Sequence, residues 1–371
     1  MRKLNYIVTT LLLVAISVWP VAAVSAQEET PQLRITQVDN SKFPNVTVYV
    51  SATNAAGEPV GVEAGSIQIY ENGQLMQVVD VQGGGEVVGQ ESIPVTTMLV
   101  MDISGSMDKN DKISAAKEAA KSYVAQMRPG DQTGLITYDT QVYTVQPITG
   151  DIAVLTAAID GLKTGSDTAM YNALMEAEKA LEGVSGRKAI IVLTDGLDNK
   201  SQSTAEDVIN GIGESGLTIS AVGFGDASTR GQTGLDEPAL QFLAEKSGGV
   251  YGYATNAEVL KALYQQQSRA LQSEYRITYV SPSPLRDGIN RNITVSLTSA
   301  PVSAEGKYNP GGVLPEVSNR SWNMFGVILA GLLVLLFVPI LFGLLRGAFS
   351  GAKGSSGAGK SSRGRGRIKL K

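Results

Sequence analysis

Residues 97–112 read TMLVMDISGSMDKNDK: an apolar run stops at an aspartate, and two serines follow at alternate positions. A run of that length and composition is a strand buried on both faces, the kind found inside parallel sheets. Such a strand ending abruptly in carboxylate and hydroxyl groups points to side chains placed for chemistry at its carboxyl end, where open α/β sheets hold their ligands.

Outward from this stretch, residues 94 to 273 alternate apolar runs with helical patterns, the grammar of a parallel sheet covered by helices on both faces. The strands are TTMLVMD, DQTGLITY, VYTVQP, KAIIVLTD, LTISAVGF and GVYGYA. In DKISAAKEAAKSYVAQM, Ile113, Ala116, Ala120, Val124 and Met127 recur at helical spacing, with Lys117 and Lys121 facing away. A last helix, NAEVLKALYQQQSRALQ, closes the unit near Gln272.

The flanks read differently. NVTVYV places Val46, Val48 and Val50 on one face, and SIQIYENGQLMQVV puts Asn72-Gly73 between two apolar runs, a strong hairpin signal. EYRITYV and RNITVSLTS resume strand language after the α/β unit, and two strands do not make a stable domain alone. The economical arrangement is a small β-sandwich whose halves, residues 27–92 and 274–300, flank an inserted α/β domain at 93–273. Residues 301–320, rich in Pro, Gly, Asn and Ser, read as a stalk linker.

Residues 1–26 have the form of a signal peptide, with Arg2 and Lys3, an apolar run from Ile7 to Trp19, and small residues at Val24-Ser25-Ala26. Ser321 to Leu345 contains no charge and is long enough for a transmembrane helix, with Trp322 at an interfacial position and Pro339 inside. The tail, 346–371, has eight Lys and Arg and no acid, whereas all 35 Asp and Glu lie between the leader and the tail. The positive-inside rule then gives a single-pass cell-membrane protein with its N-terminal region outside and a basic cytoplasmic tail. SSRGRGRIKLK fits a topogenic tail better than a nucleic-acid contact, so nucleic acid is not an expected partner.

The chain contains neither Cys nor His. That removes disulfides, thiol nucleophiles, imidazole catalysis and the usual zinc, haem and iron–sulfur ligand sets. A metal here would be held by oxygen. Asp102, Ser104 and Ser106 follow the first buried strand, Thr168 heads a helix in GSDTAMYNAL, and Asp195 ends the strand in IIVLTDGLDN. All three loops belong at one edge of the sheet. Taken singly, each has an ordinary reading: helix cap, N-cap or plain turn.

DISGSM, TAMYNAL and LTDG, in that order, resemble the von Willebrand factor type A (VWA) family over roughly residues 94 to 273. The resemblance implies a doubly wound, mostly parallel, Rossmann-like fold carrying a metal-ion-dependent adhesion site. Its ligands would be the hydroxyls of Ser104, Ser106 and Thr168, with Asp102 and Asp195 bound directly or through water. Mg²⁺ suits such oxygen donors, with Mn²⁺ or Ca²⁺ as alternatives. Mostly neutral ligands leave the ion able to accept an Asp or Glu carboxylate from a protein partner. Asp167 stands where the family more often has a small residue, and a third carboxylate near the ion would temper that attraction or favour Ca²⁺.

Two functions follow. The first is an envelope-anchored binding module, in adhesion or in assembly of a secretion or pilus-like apparatus, and not an enzyme. The second is a metal-dependent hydrolase, for which Asp167 or Asp198 would have to serve as general base.

Overall fold

The fold is given by a computed structural model, which describes residues 31–84, 93–213, 216–225, 234–312 and 325–338. The expected leader and basic tail lie outside these residues. The chain divides into two units, Met1–Pro315 and Glu316–Lys371.

The first unit opens with β1 (Gln32–Asp39), β2 (Asn45–Thr53), β3 (Ile67–Glu71), β4 (Gln74–Leu75) and β5 (Val78–Gly83). Val46, Val48 and Val50 of β2 point inward as their alternation predicts, at most 1% exposed. The Asn72-Gly73 turn between β3 and β4 has φ of 49° and 81°. Positive φ at both central positions is what the tightest hairpin turn requires, and Asn and Gly tolerate it. The returning strand is shorter than its sequence suggests: β4 holds two residues, and from Val78 the chain continues as β5 in another sheet.

The α/β unit follows: β6 (Val95–Asp102), α1 (Lys112–Val124), β7 (Gln132–Tyr138), β8 (Val142–Thr149), α2 (Ile152–Asp160), α3 (Met170–Ala180), β9 (Arg187–Thr194), α4 (Ala205–Gly211), β10 (Thr218–Phe224), α5 (Glu237–Ser247), β11 (Tyr251–Ala254) and α6 (Ala257–Gln272). Its sheet has the order β11-β10-β9-β6-β7-β8, parallel except for β8, which runs antiparallel to β7 at the edge. Every residue of β6 and β9 is buried. The alternation of side chains explains how. Leu99, Met101, Ile191 and Leu193 face α1, α2 and α6, while Met98, Val100, Ile190 and Val192 face α3, α4 and α5. Each such side chain contributes roughly 1.5–3 kcal/mol by leaving water.

The chain then adds β12 (Tyr275–Val280), β13 (Arg291–Leu297) and β14 (Ser303–Tyr308). β12 lies between β2 and β5 in a sheet of order β1-β2-β12-β5, and β13 between β14 and β3 in a sheet of order β14-β13-β3-β4. Val46, Val48, Ile67, Ile69, Ile277, Tyr279, Ile293 and Val295 share one apolar cluster between these sheets. The stalk reading of residues 301–320 is corrected for its first part, because Ser303–Tyr308 pairs along β13. Its polar sequence, SAEGKY, hid an edge strand that buries Ala304 and Tyr308.

The base of the α/β sheet is seated on β1. Thr218 Oγ1 donates to Thr36 O at 2.6 Å, and Gln37 Nε2 donates to Gly186 O at 2.9 Å. Arg187, at the start of β9, is near this seat, so the far end of β9, at Thr194, points away from the β sheets.

In the second unit, residues 325–338 form a helix whose side chains are all exposed. Among the described residues no helix is long and apolar enough to cross a membrane. The rest of the expected span 321–345 lies outside the described residues.

Candidate metal centre

Asp102, the last residue of β6, is fully buried. Its Oδ1 accepts the Ser104 N–H at 2.8 Å and its Oδ2 accepts the Thr194 hydroxyl at 2.8 Å. Burial pushes its pKa from 3.8 up to about 6; hydrogen bonds from Ser104 and Thr194 pull the other way, and the Asp195 charge adds to the rise. Ser104 Oγ lies 2.9 Å from Ser106 Oγ, and Ser106 Oγ donates to Asp195 Oδ1 at 2.6 Å. Asp102, Ser104, Ser106 and Asp195 are therefore drawn together through one hydrogen-bonded set.

The loop bearing Thr168 meets this set through two glycines. Gly105 N–H donates to Ser166 O at 2.7 Å and Gly165 N–H to Ile103 O at 2.5 Å. A Cβ on Gly165 would fall 1.9 Å from Asp139 Oδ2, so glycine lets this loop pack against the Asp139 side chain.

Thr168 is 5% exposed. Its N–H donates to Asn199 Oδ1 at 3.1 Å, and its carbonyl accepts from the N–H groups of Asn199 and Lys200 at 3.0 and 3.1 Å. Its hydroxyl is not a helix cap. The cap position of α3 is Ala169, and the first-turn N–H groups of Tyr171 and Asn172 go to Asp198 Oδ2 and Ser201 Oγ, each at 2.9 Å. Ser104 likewise gives no side-chain cap to the turn that follows it.

Asp198, one of the two candidate bases, also accepts the Ser201 N–H at 2.8 Å and acts as a structural clamp. Asp167, the other, faces Lys200 Nζ at 3.4 Å and Thr140 Oγ1 at 3.3 Å. It is turned into a surface pair. Two contributors escaped sequence reasoning. Thr194 orients Asp102, and Lys112 Nζ donates to Asp195 Oδ2 at 2.6 Å. The first was legible in principle, since Thr194 ends the same buried run as Asp195.

Among the described residues no group of three or more His, Cys, Asp or Glu side chains comes together. A cation here would depend on hydroxyls beside two carboxylates, Asp102 and Asp195. Contiguous oxygen donors, two of them buried carboxylates, fit a hard divalent ion that keeps several waters.

Residues 97–197 match the sequence family described as von Willebrand factor type A domain. This stretch places a VWA domain within the chain. The match begins within β6 and ends just past Asp195, so the VWA signature spans both carboxylates. A UPF0353 protein of Mycobacterium leprae is 31% identical to the chain over 203 residues, 46% of this chain and 59% of that protein. A UPF0353 protein of Mycolicibacterium paratuberculosis is 27% identical over 202 residues, covering 48% of this chain and 60% of its own length. The chain thus spans less than two thirds of these relatives. Among solved structures, a von Willebrand factor type A protein from Catenulispora acidiphila is similar at a TM-score of 0.45 and 16% identity, over 76% of this chain and 74% of that one.

Proposed function

We propose that this VWA domain is an envelope-anchored binding module that grips a protein partner through a divalent cation held by Asp102, Ser104, Ser106, Thr168 and Asp195. The observation that carries the reading is the run of oxygens from Ser104 through Ser106 to Asp195 beside buried Asp102. Mg²⁺ is the preferred ion, with Mn²⁺ or Ca²⁺ as alternatives, and the partner supplies an Asp or Glu carboxylate. The position of the centre supports this, because it lies at the end of the α/β sheet away from the β sheets, where a partner has access. The role is adhesion or assembly of a secretion or pilus-like apparatus.

The proposal includes a β-sandwich built from residues on both sides of the VWA domain, a cleaved leader at 1–26, and a membrane span at 321–345 that leaves the basic tail in the cytoplasm. The hydrolase reading has less support, since Asp198 clamps α3 and Asp167 pairs with Lys200.

Calorimetric titration of the full chain with Mg²⁺ and Mn²⁺ tests the centre. One site per chain is expected, with affinity reduced at least about tenfold, or about 1.4 kcal/mol, in Asp102→Ala and in Thr168→Ala. Thermal melting of the same samples checks folding, and Thr168→Ala removes a hydroxyl that caps no helix. Equal affinity in wild type and both variants would sink the assignment.

A further inference from the structure

Lys112 is the first residue of α1, and it reaches back into the centre. Its ammonium donates to Asp195 Oδ2 at 2.6 Å, with the Lys112 side chain 18% exposed and that of Asp195 0%. Three local features that disfavour this placement converge on it. Asn110 and Asp111, immediately before it, both hold φ at 55°. That left-handed region is uncommon for residues other than glycine, although Asn and Asp tolerate it best. Asp111 occupies the cap position of α1 but makes no side-chain cap hydrogen bond. A lysine in the first turn also sits at the positive end of the helix dipole. Local choices that oppose the helix yet serve one contact are the mark of a functional position.

We propose that Lys112 is a built-in occupant of the centre, an ammonium that competes with the divalent cation for Asp195. The inference rests on the metal reading above and adds what sets the strength of that binding. Ser106 already engages Asp195 Oδ1, so an incoming cation meets a carboxylate whose other oxygen is held by a positive charge. Two cations around one buried carboxylate repel, and burial screens them little. Loading the centre therefore expels the lysine.

The surface beside Lys112 can receive it. A cleft of about 470 Å³ runs past Lys112 and is bounded by Asp111, Ser114, Glu118 and Asn256. The carboxylate of Asp111, which among the described residues accepts only the Ser114 hydroxyl, gives the displaced ammonium an acidic alternative on that side, with Glu118, paired to Lys121, adding negative charge nearby. Lys has four flexible bonds with which to reach it. The centre thus carries a monovalent charge of its own and exchanges it for a divalent one.

The test uses the full chain in detergent and Mn²⁺ as the probe, with Lys112→Met and Lys112→Arg. Calorimetry should show Lys112→Met binding Mn²⁺ at least about tenfold more tightly than wild type, and Lys112→Arg no more tightly. Melting in chelator gives a second readout: Lys112→Met should melt below wild type, because Asp195 loses its counter-ion, and should regain the difference when Mn²⁺ is added. Equal or weaker Mn²⁺ affinity in Lys112→Met overturns the competition while leaving the centre itself standing. Mn²⁺ binding by neither protein overturns both.

Discussion

At the scale of single residues, Glu178 makes stability depend on pH. It lies on the buried side of α3, and among the described residues neither of its carboxylate oxygens has a hydrogen-bond partner. Burial pushes its pKa from 4.5 up to about 8. The folded state then holds a proton that the unfolded chain releases, so between these values stability falls as pH rises, and it levels off above the folded value. Glu178→Gln keeps the shape without the ionisation. It should flatten this dependence and stabilise the protein by on the order of a few kcal/mol at the alkaline end. Urea unfolding at about pH 5 and about pH 8.5 measures it, and parallel behaviour of the two proteins would refute it. The centre shows what was legible at this scale. Asp102, Ser104 and Ser106 could be read from sequence because a tight loop after a rigid strand turns alternate side chains to one side. Lys112 could not, because its approach depends on two left-handed residues that no periodicity announces.

At the scale of elements, the central strands were legible because β6 and β9 are apolar at nearly every position and helices cover both faces. β14 was not, since an edge strand with one buried face needs few apolar residues. The junction of elements is held by a buried ion pair. Arg187, at the start of β9, donates from Nε and Nη2 to Glu274 at 2.5 and 2.8 Å, and from Nη1 to Gln37 Oε1 at 3.0 Å. Glu274 stands between α6 and β12, and Gln37 is in β1, so one guanidinium ties the base of the α/β sheet to the β sheets. Removing one partner leaves a charge buried without its counterpart. Glu274→Gln should therefore cost about 3–5 kcal/mol, whereas the double change Arg187→Met with Glu274→Leu should recover most of it. Denaturant midpoints decide this, and a loss below about 1 kcal/mol in the single variant would show that the pair contributes little.

At the scale of the whole molecule, charge is sorted along the chain: every acid lies before residue 346, and the tail after it is basic. In the proposed topology, protease added outside intact cells should remove residues 27–320 and leave a small membrane fragment that carries Lys371. A C-terminal tag reachable from outside would overturn the orientation. The β fold contains one further geometric fact. Gly83 pairs with Tyr275, and the Gly84 N–H donates to Glu274 O at 3.1 Å, so β5 ends beside the start of β12. Antiparallel strands at that separation, about 4.8 Å, are what a two-residue turn joins. Everything between Gly84 and Glu274 thus leaves and rejoins the β sheets through a doorway one strand-spacing wide. A coding segment inserted at such a point lengthens a hairpin and disturbs no strand register. An ancestral gene could acquire an entire α/β domain there in a single recombination, with neither core rewritten to admit it.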